Sequence, residues 1–220
     1  MNKAVYSLVL SEDVVREIDK AAYSLGTNRS GLINQILADY VSYITPEERS
    51  RHILDEVREC FQDVQSFQLP DCASCSSLLL RTALSYKYNP TVRYSLELSR
   101  EALPEVGTLR VSLRTQNSSL IEAMIRFYRF WDELEESEVG PQASLIEGEK
   151  YSRALRLQAP EGAAEIAIGS EELGVLIADY IRTFDSALKL YFYHLGEPQE
   201  AFPEIIRLYR KYERAERAVL

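Results

Sequence analysis

Between Ala4 and Ser11 the residues Tyr6, Leu8 and Leu10 alternate with Val5, Ser7 and Val9, a two-residue period that predicts a short strand with one face free for burial. At Ser11 the period changes. A hydroxyl followed by Glu12 and Asp13 is a helix start, because the hydroxyl can cap the first amides and acids suit the positive end of the helix dipole. Val14, Ile18, Ala21, Ala22 and Leu25 then recur at three- and four-residue steps until Gly26 stops the run. A second start at Asn28-Arg29-Ser30 leads into the stripe Ile33, Ile36, Leu37, Tyr40, Val41 and Ile44. The pattern over Lys3 to Ile44 is strand, helix, tight turn, helix.

Downstream, Thr45-Pro46-Glu47-Glu48 opens another helix, whose stripe Ile53, Leu54, Val57, Phe61 and Val64 runs to about Phe67 and reads as a connector. The small and polar stretch from Gln68 to Ser76 reads as a domain boundary. Strands are predicted at 78–88, 92–98 and 108–114, the clearest alternation being Val92-Tyr94-Leu96-Leu98 and Leu109-Val111-Leu113. Asn117 and Ser118 start a helix through Leu120, Met124, Phe127 and Trp131, which fades into the acidic run Asp132 to Glu138, read as a solvated end and linker. Tyr151 to Gln158 and Ala163 to Ile168 predict a hairpin across Pro160-Glu161-Gly162. Ser170-Glu171-Glu172 starts a helix through Leu176, Tyr180, Phe184 and Tyr191, and a last helix is expected over Phe202 to Val219. A strand-strand-helix unit used twice, at about 92–131 and 151–195, accounts for this order. The fold class expected is α+β: a dimeric head over 1–45, a connector over 46–67, and an antiparallel sheet with helices over 77–220.

The head resembles the ribbon-helix-helix family, the Arc and MetJ type of repressor fold. The likeness rests on the order of elements, the Leu10-Ser11-Glu12 junction, the Leu25-Gly26-Thr27-Asn28-Arg29-Ser30 turn and the Leu32-Ile33 start of the second helix, and it covers about the first 45 residues. It implies a homodimer in which one strand from each subunit pairs antiparallel and enters the major groove of double-stranded DNA. By position the base readers are Val5, Ser7 and Val9, with Lys3 nearby, and the turn at Asn28, Arg29 and Ser30 holds a phosphate. Family readers are usually polar or basic. Valine can touch a thymine methyl but offers guanine and adenine no hydrogen bond.

The apolar share of 46% and charged share of 27% belong to a folded chain rather than a disordered one. The formal net charge of −9 argues against indiscriminate nucleic-acid binding, so DNA contact must rest on local charge. No apolar run is long enough to span a membrane, and Met-Asn-Lys-Ala lacks the core of a signal peptide, so a cytoplasmic protein is expected. An odd number of cysteines, Cys60, Cys72 and Cys75, suits a reducing compartment. Cys72-x-x-Cys75 has the spacing of a metal knuckle or a redox pair, but no second pair accompanies it. Neither a metal site nor a cofactor is expected. Phosphate-loop, nucleophile-elbow and metalloprotease motifs are absent, so an enzyme is not expected.

Two features of the second half carry alternatives. Tyr86, Tyr88, Tyr94, Phe127, Tyr128, Phe130, Trp131, Phe184, Tyr191, Phe192 and Tyr193 can line a ligand pocket or fill a core, and the core requires fewer assumptions. If Val92, Tyr94, Leu109 and Val111 face inward, Arg93, Arg110 and Arg114 face outward, joined by Arg81 and Lys87, with Glu97 as the accompanying acid. That face is either solvated or a surface for an anionic ligand or an acidic protein partner. The function expected is a dimeric DNA-binding transcriptional regulator with a sensory or interaction domain; the alternative is an interaction protein that uses its head only to dimerise.

Overall fold

Ser11 caps the first helix as its sequence predicts, its Oγ accepting from the Val14 amide at 3.4 Å. The computed structural model describes residues 7–41, 43–70, 76–100, 103–158, 168–215 and 220. It divides the chain into two units, residues 1–49 and 50–220.

The first unit is built on α1 (Glu12–Ser24) and α2 (Arg29–Tyr40). Gly26 turns between them at φ +64°, a left-handed conformation that costs glycine nothing. The Thr27 amide returns to the Ala22 carbonyl at 2.9 Å and closes the turn. The strand expected over 4–11 is not present as such: residues 7–11 belong to no strand, and 4–6 lie outside the described residues. A lone ribbon has no ladder partner within its own chain, and alternation supplies a face without supplying a neighbour.

Helix α3 (Pro46–Gln62) follows, with Thr45 Oγ1 accepting from the Glu48 amide. It is more than the connector expected over 46–67. Ile53, Leu54, Val57 and Phe61 are buried in the core of the second unit, so the division falls inside the helix and not at the Gln68 to Ser76 stretch.

The second unit is an antiparallel sheet of β1 (Phe67–Gln68), β2 (Ser77–Ala83), β3 (Thr91–Leu98), β4 (Glu105–Leu113), β5 (Ser144–Glu147) and β6 (Lys150–Arg156) in the order β1-β2-β3-β4-β6-β5. Between β4 and β5 runs α4 (Ser118–Val139), and after β6 come α5 (Ser170–Tyr193) and α6 (Pro198–Ala215). The architecture is α+β, as expected. Strand β2 ends at Ala83 rather than at 88, because the chain turns through Tyr88 and Asn89, both at positive φ. Strand-strand-helix does occur twice, as β3-β4-α4 and β5-β6-α5. The second hairpin, however, pairs β6 with β5 ahead of it; of the return strand expected over Ala163 to Ile168, residues 163–167 lie outside the described residues and Ile168 belongs to no strand. The acidic run is no linker. It forms the last turns of α4, and Glu135 within it is fully buried.

One face of the sheet presents Leu78, Leu80, Val92, Tyr94, Leu96, Leu109, Val111, Tyr151 and Leu155 to the helices, all buried. Helix α5 is apolar on nearly every side, as a helix surrounded by other elements must be. It passes so close to α3 that a Cβ added at Gly174 would lie 2.5 Å from Glu56 Cβ. Gly174→Val is therefore expected to destabilise this unit by about 1–3 kcal/mol despite valine's higher helix propensity. Urea unfolding followed by fluorescence measures it, since Trp131 is the one tryptophan and sits in this core; an unchanged midpoint contradicts the close approach. The aromatics expected to line a pocket or fill a core do the second: Tyr94, Phe127, Tyr128, Trp131, Phe184, Tyr191 and Phe192 are buried, whereas Tyr88 and Tyr193 are exposed.

Candidate nucleic-acid interface and cationic sheet face

The turn before α2 is well built. Asn28 Oδ1 accepts from the Gly31 amide at 2.9 Å, capping the helix. A Cβ on Gly31 would lie 2.9 Å from Thr27 Oγ1, so the cap is closed tightly over a residue without a side chain. Arg29 is held by Asp19 of α1 through two hydrogen bonds, Nε at 2.7 Å and Nη2 at 2.5 Å. The Arg29 guanidinium, hydrogen-bonded to Asp19, holds that carboxyl below its usual range, and the carboxylate in turn raises the arginine. Both side chains remain about half exposed, so a phosphate can reach Arg29 only in competition with, or alongside, Asp19. Asn28, Arg29 and Ser30 are thus brought together at one helix start. Ser7 and Val9 are exposed in the irregular segment before α1, Val9 completely, and Lys3 and Val5 lie outside the described residues.

Little of this unit's apolar surface is covered. Among the described residues of α1 and α2 only Ala22, Leu32 and Ala38 are buried; Val14, Ile36, Leu37 and Tyr40 on these helices are exposed, as are Leu8, Val9 and Val41 beside them in sequence. Apolar exposure on this scale is uncommon on a monomeric protein surface.

In the second unit the other face of the sheet carries charge and small residues together with Leu79 and Leu145. Strand register places Arg81 directly opposite Arg93, Arg93 opposite Ser112, Ser112 opposite Lys150 and Lys150 opposite Glu147. One row of the sheet therefore holds three cations across four adjacent strands. Arg110 lies in the neighbouring row, opposite Ser95 and Ser152, and Arg114 follows β4 at an exposed position. Lys87 is the exception, displaced into the turn after β2. Lys150 and Arg156 belong to the face as well and were not expected, because a sequence does not reveal that β6 pairs with β4; their alternation with Tyr151 and Leu155 was the available signal.

The acids are committed at one end. Glu97 binds Arg110 at 2.6 Å and Glu105 binds Arg156 at 2.9 Å. Among the described residues Arg93, Arg114 and Lys150 have no ion-pair partner, and Arg81 Nε is buried without a hydrogen-bond acceptor.

No group of three or more His, Cys, Asp or Glu among the described residues could hold a metal ion, and Cys72 and Cys75 lie outside them. Cys60 is half-buried. Burial pushes its thiol up against the pull of Arg182, which makes it a poor nucleophile. No helix among the described residues is long and apolar enough to cross a membrane. No protein-family model matches the chain, and no curated protein or solved structure matches it either.

Proposed function

We propose that the chain is a dimeric DNA-binding protein, a cytoplasmic transcriptional regulator whose first 45 residues form a ribbon-helix-helix head. The observation that carries the reading is the uncovered apolar side of α1 and α2, preceded by residues 7–11, which belong to no helix or strand. A second copy would supply what is missing on both counts: cover for Ile36, Leu37 and Val41, and a ladder partner for the ribbon. The helix order, the Gly26 turn and the Asn28 cap support the family likeness drawn from the sequence.

A second reading has a specific observation behind it. Arg29 is already neutralised by Asp19, and two of the three ribbon positions are valines, which favours a head used for dimerisation alone. Selection from random duplex DNA at two salt concentrations separates the two, with sedimentation reporting the assembly. Leu37→Asp is expected to abolish the dimer, and a well-folded wild-type monomer at low micromolar concentration refutes the proposal. In the DNA complex Arg29→Ala should weaken all duplexes and lower the salt slope by about one. Ser7→Ala should cost roughly 1 kcal/mol or less. A large loss from Ser7→Ala confined to particular duplexes would move the weight of recognition onto the ribbon.

A further inference from the structure

The outer face of the sheet holds like charges side by side. Arg81 and Arg93 are cross-strand neighbours, an arrangement that destabilises a sheet. Of the acids on the face, Glu97 and Glu105 are tied to Arg110 and Arg156, and Glu147 stands opposite Lys150 at the border of the row without forming an ion pair, which leaves Arg93 and Arg114 with no acid beside them among the described residues. Between the cations lie Ala83, Thr91, Ser95, Ser112 and Ser152, small residues that keep the surface low and open. We propose that this face docks an acidic helical segment of a partner protein, laid across the strands with its carboxylates along the Arg81-Arg93-Ser112-Lys150 row.

Spacing supports a helix. Adjacent strands lie about 4.8 Å apart, close to the roughly 5.4 Å between successive turns of an α-helix, so acids at three- and four-residue steps meet the row strand by strand. Ser112, between Arg93 and Lys150, can donate to a carboxylate. Charge and shape disfavour nucleic acid. Residues 50–220 carry 20 Lys and Arg against 27 Asp and Glu, so the unit as a whole repels a long polyanion, while a short acidic segment feels chiefly the local row. The strands also place no aromatic side chain on the face, so bases have nothing to stack on. The proposal does not depend on the head's reading as a DNA binder.

The test uses the full chain and a fluorescein-labelled, helix-forming peptide of alternating Glu and Ala blocks, with a Gln-for-Glu version as control. The acidic peptide should bind saturably at low salt and the control should not. Arg93→Glu with Lys150→Glu should weaken binding about tenfold or more. Reversal of Arg207 and Lys211, exposed cations on α6, should leave it unchanged. Arg93→Glu alone places a carboxylate opposite Arg81 and should raise the Tm by about 1–3 °C while reducing binding, an opposition that a purely structural role cannot produce. The milder pair Arg93→Gln and Lys150→Gln serves if the reversal fails to fold. Absence of saturable binding by the wild type overturns the proposal, as does equal loss from the α6 variant. A fall in random-duplex DNA affinity in the sheet variant, without peptide binding, overturns it in favour of a nucleic-acid surface.

Discussion

Replacing Arg153 by alanine is expected to cost the second unit about 3–5 kcal/mol. Arg153 and Glu135 are both fully buried, with Arg153 Nε 2.8 Å from Glu135 Oε2. The rest of the guanidinium donates to the carbonyls of Ala154 at 2.7 Å and Leu220 at 2.8 Å. The Tyr180 hydroxyl donates to Glu135 Oε1 at 2.9 Å and accepts from Trp131 Nε1 at 3.3 Å. Each polar side-chain atom of Glu135, Arg153, Tyr180 and Trp131 has a hydrogen-bond partner, and removing the guanidinium leaves a carboxylate stranded in the core. The cost is one of orphaning, so replacing both residues together, Glu135→Leu with Arg153→Met, should recover most of it. Urea unfolding read by Trp131 measures the double variant beside Glu135→Leu alone and Arg153→Met alone; additive losses would mean that the two residues do not act as a pair.

The same site predicts a pH dependence. Burial pushes the Glu135 carboxyl above its ordinary value, against the opposing pull of Arg153 and the Tyr180 hydrogen bond. The folded state therefore holds this proton more tightly than the unfolded chain. Its contribution is most favourable below the ordinary carboxyl value and declines as pH rises from there through the raised folded value. Glu135→Gln should flatten that decline relative to wild type.

Phe184→Ala is expected to cost about 3–5 kcal/mol, since its fully buried ring packs against aromatic rings from α4, β6 and β3 at once. Its centroid lies 5.0 Å from Trp131 and 5.4 Å from Phe127 on α4, 5.7 Å from Tyr151 on β6, and 6.2 Å from Tyr94 on β3. Three of these contacts are close to edge-on and the Tyr151 contact is stacked, geometries that add to simple burial. Phe184→Leu keeps much of the volume and should cost markedly less. A loss below about 2 kcal/mol for alanine would show that the cluster closes over the gap.

Periodicity made most of the second unit legible. Val92, Tyr94, Leu96 and Leu98 declare both the strand and its inner face, and all four are buried. The Asn117 start of α4 was readable too, its Oδ1 accepting from the Leu120 amide. What charge obscured, phase could have revealed. Glu135 continues the stripe Tyr128, Trp131 at four-residue spacing, and Arg153 stands in the inward phase between Tyr151 and Leu155. Each looks like a surface residue until the other, 18 positions away, is known to face it. Strand β5 escaped notice because four residues with two half-buried positions give alternation too little length to register. Nor could the ribbon be tested within a single chain, because its proposed partner is another copy. Of the candidate sites, the Asn28 to Ser30 turn was legible through capping chemistry alone, and the cationic row only in part, since half of it depends on which strands are neighbours.

The sheet's outermost strands are its shortest, two residues in β1 and four in β5, while the long strands β2, β3, β4 and β6 lie between them. Among the described residues, an incoming extended chain would therefore find at β1 and β5 only a brief row of open amides and carbonyls, too short to template growth of the sheet. Whatever draws two copies of the protein together, their sheets are poorly equipped to anneal edge to edge, and crowding on a shared scaffold need not lead to fibrils.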